Sequence, residues 1–225
     1  MKASELEAAF ATLPPAWAAV LPGWTSAKRR AVCDAVLAAS GDKAIAPEDP
    51  FRALRLVDPA AVRVVVIGQD PYPTAGHADG LAFSAGRGRP RSLARVFELL
   101  AEARPDFVPP DIWTLDDWAR RGVLLLNPVL TVEVGRSASH MRCGWQALTQ
   151  EIVNHLSSRA SPPVFLLWGT KARAFWDESK APGSIAAILT TRHPSYDLDR
   201  SFMAEGNHFD VTAHLVDWWA IGSAA

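Results

Sequence analysis

Asp70, Asn127 and His193 bring a carboxylate, an amide and an imidazole to the ends of short apolar runs. Val64-Val65-Val66-Ile67 ends in Gly68-Gln69-Asp70-Pro71-Tyr72, and Val123-Leu124-Leu125-Leu126 ends in Asn127. A third run, 164–168, ends in Gly169-Thr170, and a fourth, 185–189, leads through two threonines to Arg192-His193-Pro194-Ser195. Taken singly, an aspartate at a strand end is most often a turn former, an asparagine there a backbone cap, and a histidine a satisfied core or surface group. A sheet needs none of the three, whereas glycosidic chemistry can use them all. Cleavage of an N-glycosidic bond develops positive charge on a sugar and negative charge on the departing base. An ionised Asp70 can steady that cation and orient a water. Asn127 offers one acceptor and one donor, a pair that can read the edge of a planar base.

Uniformly apolar runs of this length, separated by helix-length stretches, read as parallel strands buried on both faces. Ligands of such sheets bind beyond the carboxyl ends of the strands, so the polar residues should converge on one cleft. Between the runs, 92–104 reads as a helix with Ser92 as its N-cap and Pro105 closing it, 115–121 as a short helix ended by Gly122, and 145–158 as a longer amphipathic one. Segments 171–180 and 211–221 complete the alternation. Residues 1–46 are alanine-rich with helical spacing broken by Pro14-Pro15 and Pro22-Gly23, and 47–50 forms a linker. The expectation is one α/β domain over 1–225: three α/β/α layers around a short, mainly parallel four-stranded sheet, with the helical segment 1–46 packed on it.

With 225 residues, 49% of them hydrophobic, the chain can bury a sizeable core. Two cysteines, Cys33 and Cys143, are too few for a disulfide framework or a four-thiolate cluster, so iron–sulfur and structural zinc sites are not expected. The start lacks the pattern of a secretory signal, and no apolar stretch approaches the roughly 20 residues of a membrane span, which suggests a soluble cytoplasmic protein. A net charge of −1 argues against strong non-specific binding to polyanions. Any nucleic-acid contact then needs a local patch, for which Arg87, Arg89, Arg91 and Arg95 are the candidates.

The segment GQDPYPTAGHADGLAFS (68–84) closely resembles the water-activating and base-pocket motif of the main uracil-DNA glycosylase family. LLLNPVLTVEVGRSASHMRCGWQALT (124–149) is similar to that family's second signature, and VFLLWGT (164–170) and HPS (193–195) to its third and fourth. DPFRALRL (49–56) and LPPAWAAVL (13–21) resemble its upstream region, so the likeness covers most of the chain. It implies release of uracil from DNA by base flipping, in base excision repair, without a cofactor. Asp70 and His193 become the catalytic residues, His193 donating a hydrogen bond to uracil O2. Gln69, Tyr72, Phe83 and Asn127 become the base pocket: Phe83 stacks on the ring, and Tyr72 blocks a methyl at C5. Ser92, Gly169, Thr170 and Ser195 become contacts to the DNA backbone. The alternatives are a glycosylase of the same fold with another base range and a catalytically silent DNA-binding relative.

The chain departs from the family where Pro73 replaces a histidine, where Pro128 follows Asn127, and in the loop after His193. There the family carries a leucine that wedges into the vacated base stack. Here the loop reads Tyr196-Asp197-Leu198-Asp199-Arg200, with an acidic residue at the wedge position. Leu198 is the nearest substitute, with Tyr196 or Arg200 as the other candidates, and Leu198 and Arg200 are expected to contact DNA. Added carboxylates beside the DNA predict a relative preference for single-stranded substrate and weak inhibition by the phage protein that mimics DNA and grips this loop. A monomer is expected.

Overall fold

The structure, a computed structural model, describes residues 1–197 and 199–222. The N-terminal segment forms a 3-10 turn, Ala3–Glu5, and helices α1 (Leu6–Phe10), α2 (Pro15–Val20) and α3 (Ser26–Ser40). Strand β1 (Ile45–Ala46) and helix α4 (Arg52–Leu56) lead to β2 (Val64–Ile67). Helices α5 (Arg91–Ala103) and α6 (Asp116–Arg120) precede β3 (Val123–Leu126) and β4 (Val132–Glu133). Then come α7 (Gln146–Ser157), β5 (Val164–Trp168), α8 (Thr170–Ser179), β6 (Ile188–Thr191) and α9 (His208–Val211).

Among the described residues, four strands form a parallel sheet in the order β3-β2-β5-β6. Every residue of β2 and β3 is buried, so helices cover both faces and the layering is α/β/α. In register, Ile67 lies beside Leu126 and Leu167, and Trp168 beside Thr191, which brings the strands' carboxyl ends level. The N-terminal segment packs on this core: the Phe10 ring lies 5.8 Å from those of Phe51 and Trp145, and Trp17 Nε1 donates to Val57 O at 2.9 Å.

Four details depart from the sequence reading. The fourth run becomes a strand only from Ile188, and Ile185 is 77% exposed, because β6 is a sheet edge with a turn at Gly183 before it. The helix expected over 211–221 is instead the short α9, begun by Asn207 Oδ1 accepting from Phe209 N at 2.9 Å. Beyond it, Trp218 Nε1 donates to Thr212 Oγ1 and Trp118 Nε1 to Trp218 O, so buried indoles fix a non-helical backbone. Helix α5 starts at Arg91 with Pro90 at its cap; Ser92 lies inside the first turn, its hydroxyl engaged elsewhere. Finally, β1 and β4 pair as a two-residue antiparallel ladder too short to leave a periodic signal.

Candidate active site

At the carboxyl end of the sheet lies a cavity of about 150 Å³ lined by Gln69, Asp70, Tyr72, Phe83, Asn127 and His193, together with Ser92 and Ser195. A cavity of that size holds one small aromatic ring. Two neighbouring strand ends fix its floor. Because Gly68 follows β2 and Asn127 follows β3, the asparagine amide crosses the neighbouring strand end; a Cβ at Gly68 would stand 2.1 Å from Asn127 Oδ1. Only glycine admits that approach.

Asp70 is held from outside its own strand. Its Oδ2 accepts from the Ala138 N–H at 2.9 Å, and Gly135 N donates to Pro73 O at 2.8 Å, so the segment after β4 is stitched to the Asp70 turn. Ala138 adopts φ +59°, a left-handed conformation uncommon for a residue with a side chain. The same segment is anchored beneath by buried His140, whose ring nitrogens lie 2.8 Å from Ser40 Oγ and 2.9 Å from Thr131 Oγ1. Sequence reasoning misses Ala138 altogether, since a backbone amide carries no side-chain signature; its only trace is the Ser139-His140 pair.

His193 follows β6. Its Nδ1 accepts from Ser195 N at 3.1 Å, so Nδ1 carries no proton, and the neutral ring keeps its hydrogen on Nε2 as a donor. Burial, aided by the Lys171 charge, lowers its pKa below the ordinary 6.5, favouring that neutral form. Gly169, at φ +105°, brings its backbone against the histidine, where a Cβ would meet His193 Cβ at 3.0 Å.

Phe83 is another left-handed residue, at φ +65°, with its ring 4.9 Å from Trp168 and 5.7 Å from His193. Strain of this kind is retained where surrounding contacts enforce it. Here Asp79 helps: it accepts from Leu81 N at 3.2 Å and Ser84 Oγ at 2.5 Å, shaping the loop that carries Phe83. Tyr72 Oη is bonded to Phe83 O and to Ser92 Oγ, and burial pushes the phenol up to about 12.

The remaining candidates fall elsewhere. Gly169 and Thr170 line a neighbouring open groove of about 900 Å³ that shares His193 with the cavity. Arg200 Nη2 lies 2.6 Å from Glu102 and 3.7 Å from Glu98, so its charge is already engaged. Arg87, Arg89 and Arg91 are exposed, but Arg95 is buried and cannot belong to a surface patch. Its partner is Asp197, only 3% exposed at the side chain, which accepts from Arg95 Nε at 2.5 Å and from Phe202 N at 2.6 Å. The acid at the wedge position is therefore turned inward and neutralised, contrary to its expected place beside DNA; Asp199, paired with Arg192 at 2.9 Å, is the exposed one. Leu198 lies outside the described residues. Among the described residues, no group of three or more His, Cys, Asp or Glu side chains could hold a metal, and no helix is long and apolar enough to cross a membrane.

Residues 54–215 match the model of the Uracil DNA glycosylase superfamily. A curated uracil-DNA glycosylase of Bordetella petrii is 40% identical over 200 residues, covering 87% of this chain and 78% of its own. That of Idiomarina loihiensis is 43% identical over 171 residues, covering 73% and 76%. The varicella-zoster virus enzyme is 46% identical over 150 residues, and this chain spans about half of its length, 48%. In fold, crystal structures of mimivirus uracil-DNA glycosylase and of the Nitratifractor salsuginis UNG superpose with TM-scores of 0.67 and 0.59 at 24% and 21% identity, covering 77% and 81% of this chain and 64% and 84% of theirs. The chain belongs to the uracil-DNA glycosylase superfamily.

Proposed function

We propose that this protein hydrolyses the N-glycosidic bond of deoxyuridine in DNA, releasing uracil and leaving an abasic site. The observation that carries the reading is the convergence of Asp70, Asn127 and His193, from three separate strand ends, on one ring-sized cavity walled by Tyr72 and Phe83. A base within a duplex cannot enter it, so the nucleotide rotates out of the stack first. Asn127 then pairs with the uracil edge, Phe83 stacks on its face, and Tyr72 closes the space beside C5. As the bond lengthens, the Asp70 carboxylate stabilises the sugar cation and aligns a water for attack at the anomeric carbon. The Nε2–H of a neutral His193 stabilises charge gathering on uracil O2 without transferring its proton. The hydroxyls of Ser195 and Thr170 serve the flanking phosphates, since the Ser195 and Gly169 N–H groups already donate to His193 Nδ1 and Thr191 O, and Gly169 lets the phosphate backbone approach closely. The expected working form is a monomer, since one chain supplies the whole cavity, and DNA as substrate implies work in the cytoplasm, beside the nucleoid in a bacterium.

The deciding experiment incubates a labelled uracil oligonucleotide with wild type and Asp70→Asn in EDTA. Wild type should release uracil under chelation, and the variant should lose about 10²- to 10³-fold in rate. Binding of uracil DNA with no base release by wild type would sink the reading. Because Asp197 is turned inward to Arg95, the preference for single strands rests on the absence of a leucine at the wedge position and on the exposed Asp199. The rate ratio of single-stranded to duplex substrate at fixed salt should exceed that of a relative carrying the leucine. Titration with the DNA-mimic phage inhibitor should leave substantial activity at a stoichiometric ratio.

A further inference from the structure

The family likeness puts Ser92 at a DNA phosphate, yet its side chain is buried, 3% exposed, and lines the base cavity. Ser92 Oγ lies 2.7 Å from Tyr72 Oη, which lies 3.2 Å from Phe83 O. The phenol has one proton and the carbonyl none. Both contacts are hydrogen bonds only if Ser92 donates to Tyr72 and Tyr72 donates to Phe83. A one-directional chain results, running from the first turn of α5 through the phenol to the carbonyl of a residue in a left-handed conformation. Its ends are anchored independently: α5 buries Leu93, Val96 and Phe97 in the core, and the Phe83 ring is packed on Trp168 and His193. The Tyr72 ring cannot swing away from the cavity without breaking both bonds.

We propose that Ser92 is a specificity-determining positioning residue, which locks Tyr72 against the cavity so that a pyrimidine carrying a substituent at C5 is refused. The proposal rests on the uracil reading above, in which Tyr72 borders C5. A steric filter is only as selective as its wall is stiff, because a wall that yields by the width of a methyl no longer discriminates. An apolar residue at position 92 would leave the phenol oxygen short of a donor in a buried site and free the ring to shift.

The test measures kcat/KM on single-stranded oligonucleotides carrying uracil, 5-fluorouracil or thymine, at several salt concentrations, for wild type, Ser92→Ala and Tyr72→Ala. Each variant's ratio to wild type cancels the leaving-group differences among the bases. For Ser92→Ala we expect the thymine-to-uracil ratio to rise at least tenfold, with 5-fluorouracil between, and the salt dependence to stay as in wild type. If all three bases fall by one factor and the salt slope becomes shallower, Ser92 holds a phosphate and the proposal is overturned. Should Tyr72→Ala release thymine while Ser92→Ala does not, the uracil reading stands and the role of Ser92 falls. Should neither release it, Tyr72 is not the C5 wall. The chain has two tyrosines, Tyr72 and Tyr196, so selective 13Cζ labelling gives two resonances. Ser92→Ala should move one and leave the other, and Ser92→Thr, which keeps a hydroxyl, should restore both the resonance and the discrimination. If Ser92→Ala does not fold, Tyr72→Phe cuts the same chain from its other end and must show the same relaxation; unaltered discrimination there overturns the proposal.

Discussion

The residue that most constrains the pocket carries no functional group. At Gly68 a single methyl would stand 2.1 Å from Asn127 Oδ1 and 2.9 Å from Ala82 Cβ, far inside contact distance. The backbone there belongs to a sheet end held by Gly68 N donating to Leu126 O at 2.9 Å, so the asparagine amide has to give way first. Gly68→Ala should therefore act as an indirect Asn127 mutation. We expect kcat/KM on uracil DNA to fall by about 10²-fold or more in Gly68→Ala and in Asn127→Ala alike, since each leaves the base edge without its paired donor and acceptor. The double variant should be little worse than either single one, because both remove the same interaction. Steady-state kinetics of the four proteins make the cycle; additive losses would show that Gly68 serves something other than the amide.

At the scale of elements, helix α5 is what joins the two halves of the site. One turn after Ser92, Arg95 reaches Asp197 in the loop beyond His193, while Glu98 at 3.3 Å and Glu102 at 3.0 Å complete the shell around its guanidinium. The Arg95 and Asp197 side chains are 9% and 3% exposed, so this is a buried pair, and removing one member strands a charge at a cost of about 3 kcal/mol or more. Arg95→Met should lower the denaturation midpoint and, by releasing the His193 loop, raise KM more than it lowers kcat. Loss of stability with KM unchanged would separate the bolt from the site. The same pair shows where legibility in the sequence stops. Val64–Ile67 and Val123–Leu126 are recognisable as buried strands because burial on both faces leaves an unbroken apolar run, and Asp70, Asn127 and His193 follow because strand ends converge. Arg95 reads as a surface cation and Asp197 as a carboxylate beside DNA, because a pair 102 positions apart has no local signature until the fold brings it together. Ser92 misleads as a helix cap, because Pro90 takes that position and the hydroxyl meets a phenol instead.

At the scale of the whole molecule, the back of the site doubles as an acid-sensitive joint. Trp168, which supports the Phe83 ring, donates from Nε1 to His208 Nδ1 at 3.3 Å, and His208 is only 5% exposed. Burial drives the His208 pKa from 6.5 down to about 4, so the folded protein keeps this ring neutral where the unfolded chain would protonate it. The depressed folded value fixes the sign: the contribution is whole above pH 6.5, declines as the pH falls towards about 4, and changes no further below that. One such group carries a slope of at most about 1.4 kcal/mol per pH unit, or about 3 kcal/mol across the window. His140 and His193 are shifted in the same direction by burial and add to it. Since α1 to α3 share the core through Phe10, Trp17 and Val36, we propose that 1–46 and the sheet form one domain and lose this stability together. Urea denaturation at pH 7, 6, 5 and 4.5, followed by circular dichroism and by the fluorescence of the nine tryptophans, should give one coincident transition whose midpoint falls with acidity. His208→Gln, which keeps an acceptor for Trp168, should flatten that decline by about one proton's worth; an unchanged slope would remove His208 from the account, and two separated transitions would divide the N-terminal helices from the sheet.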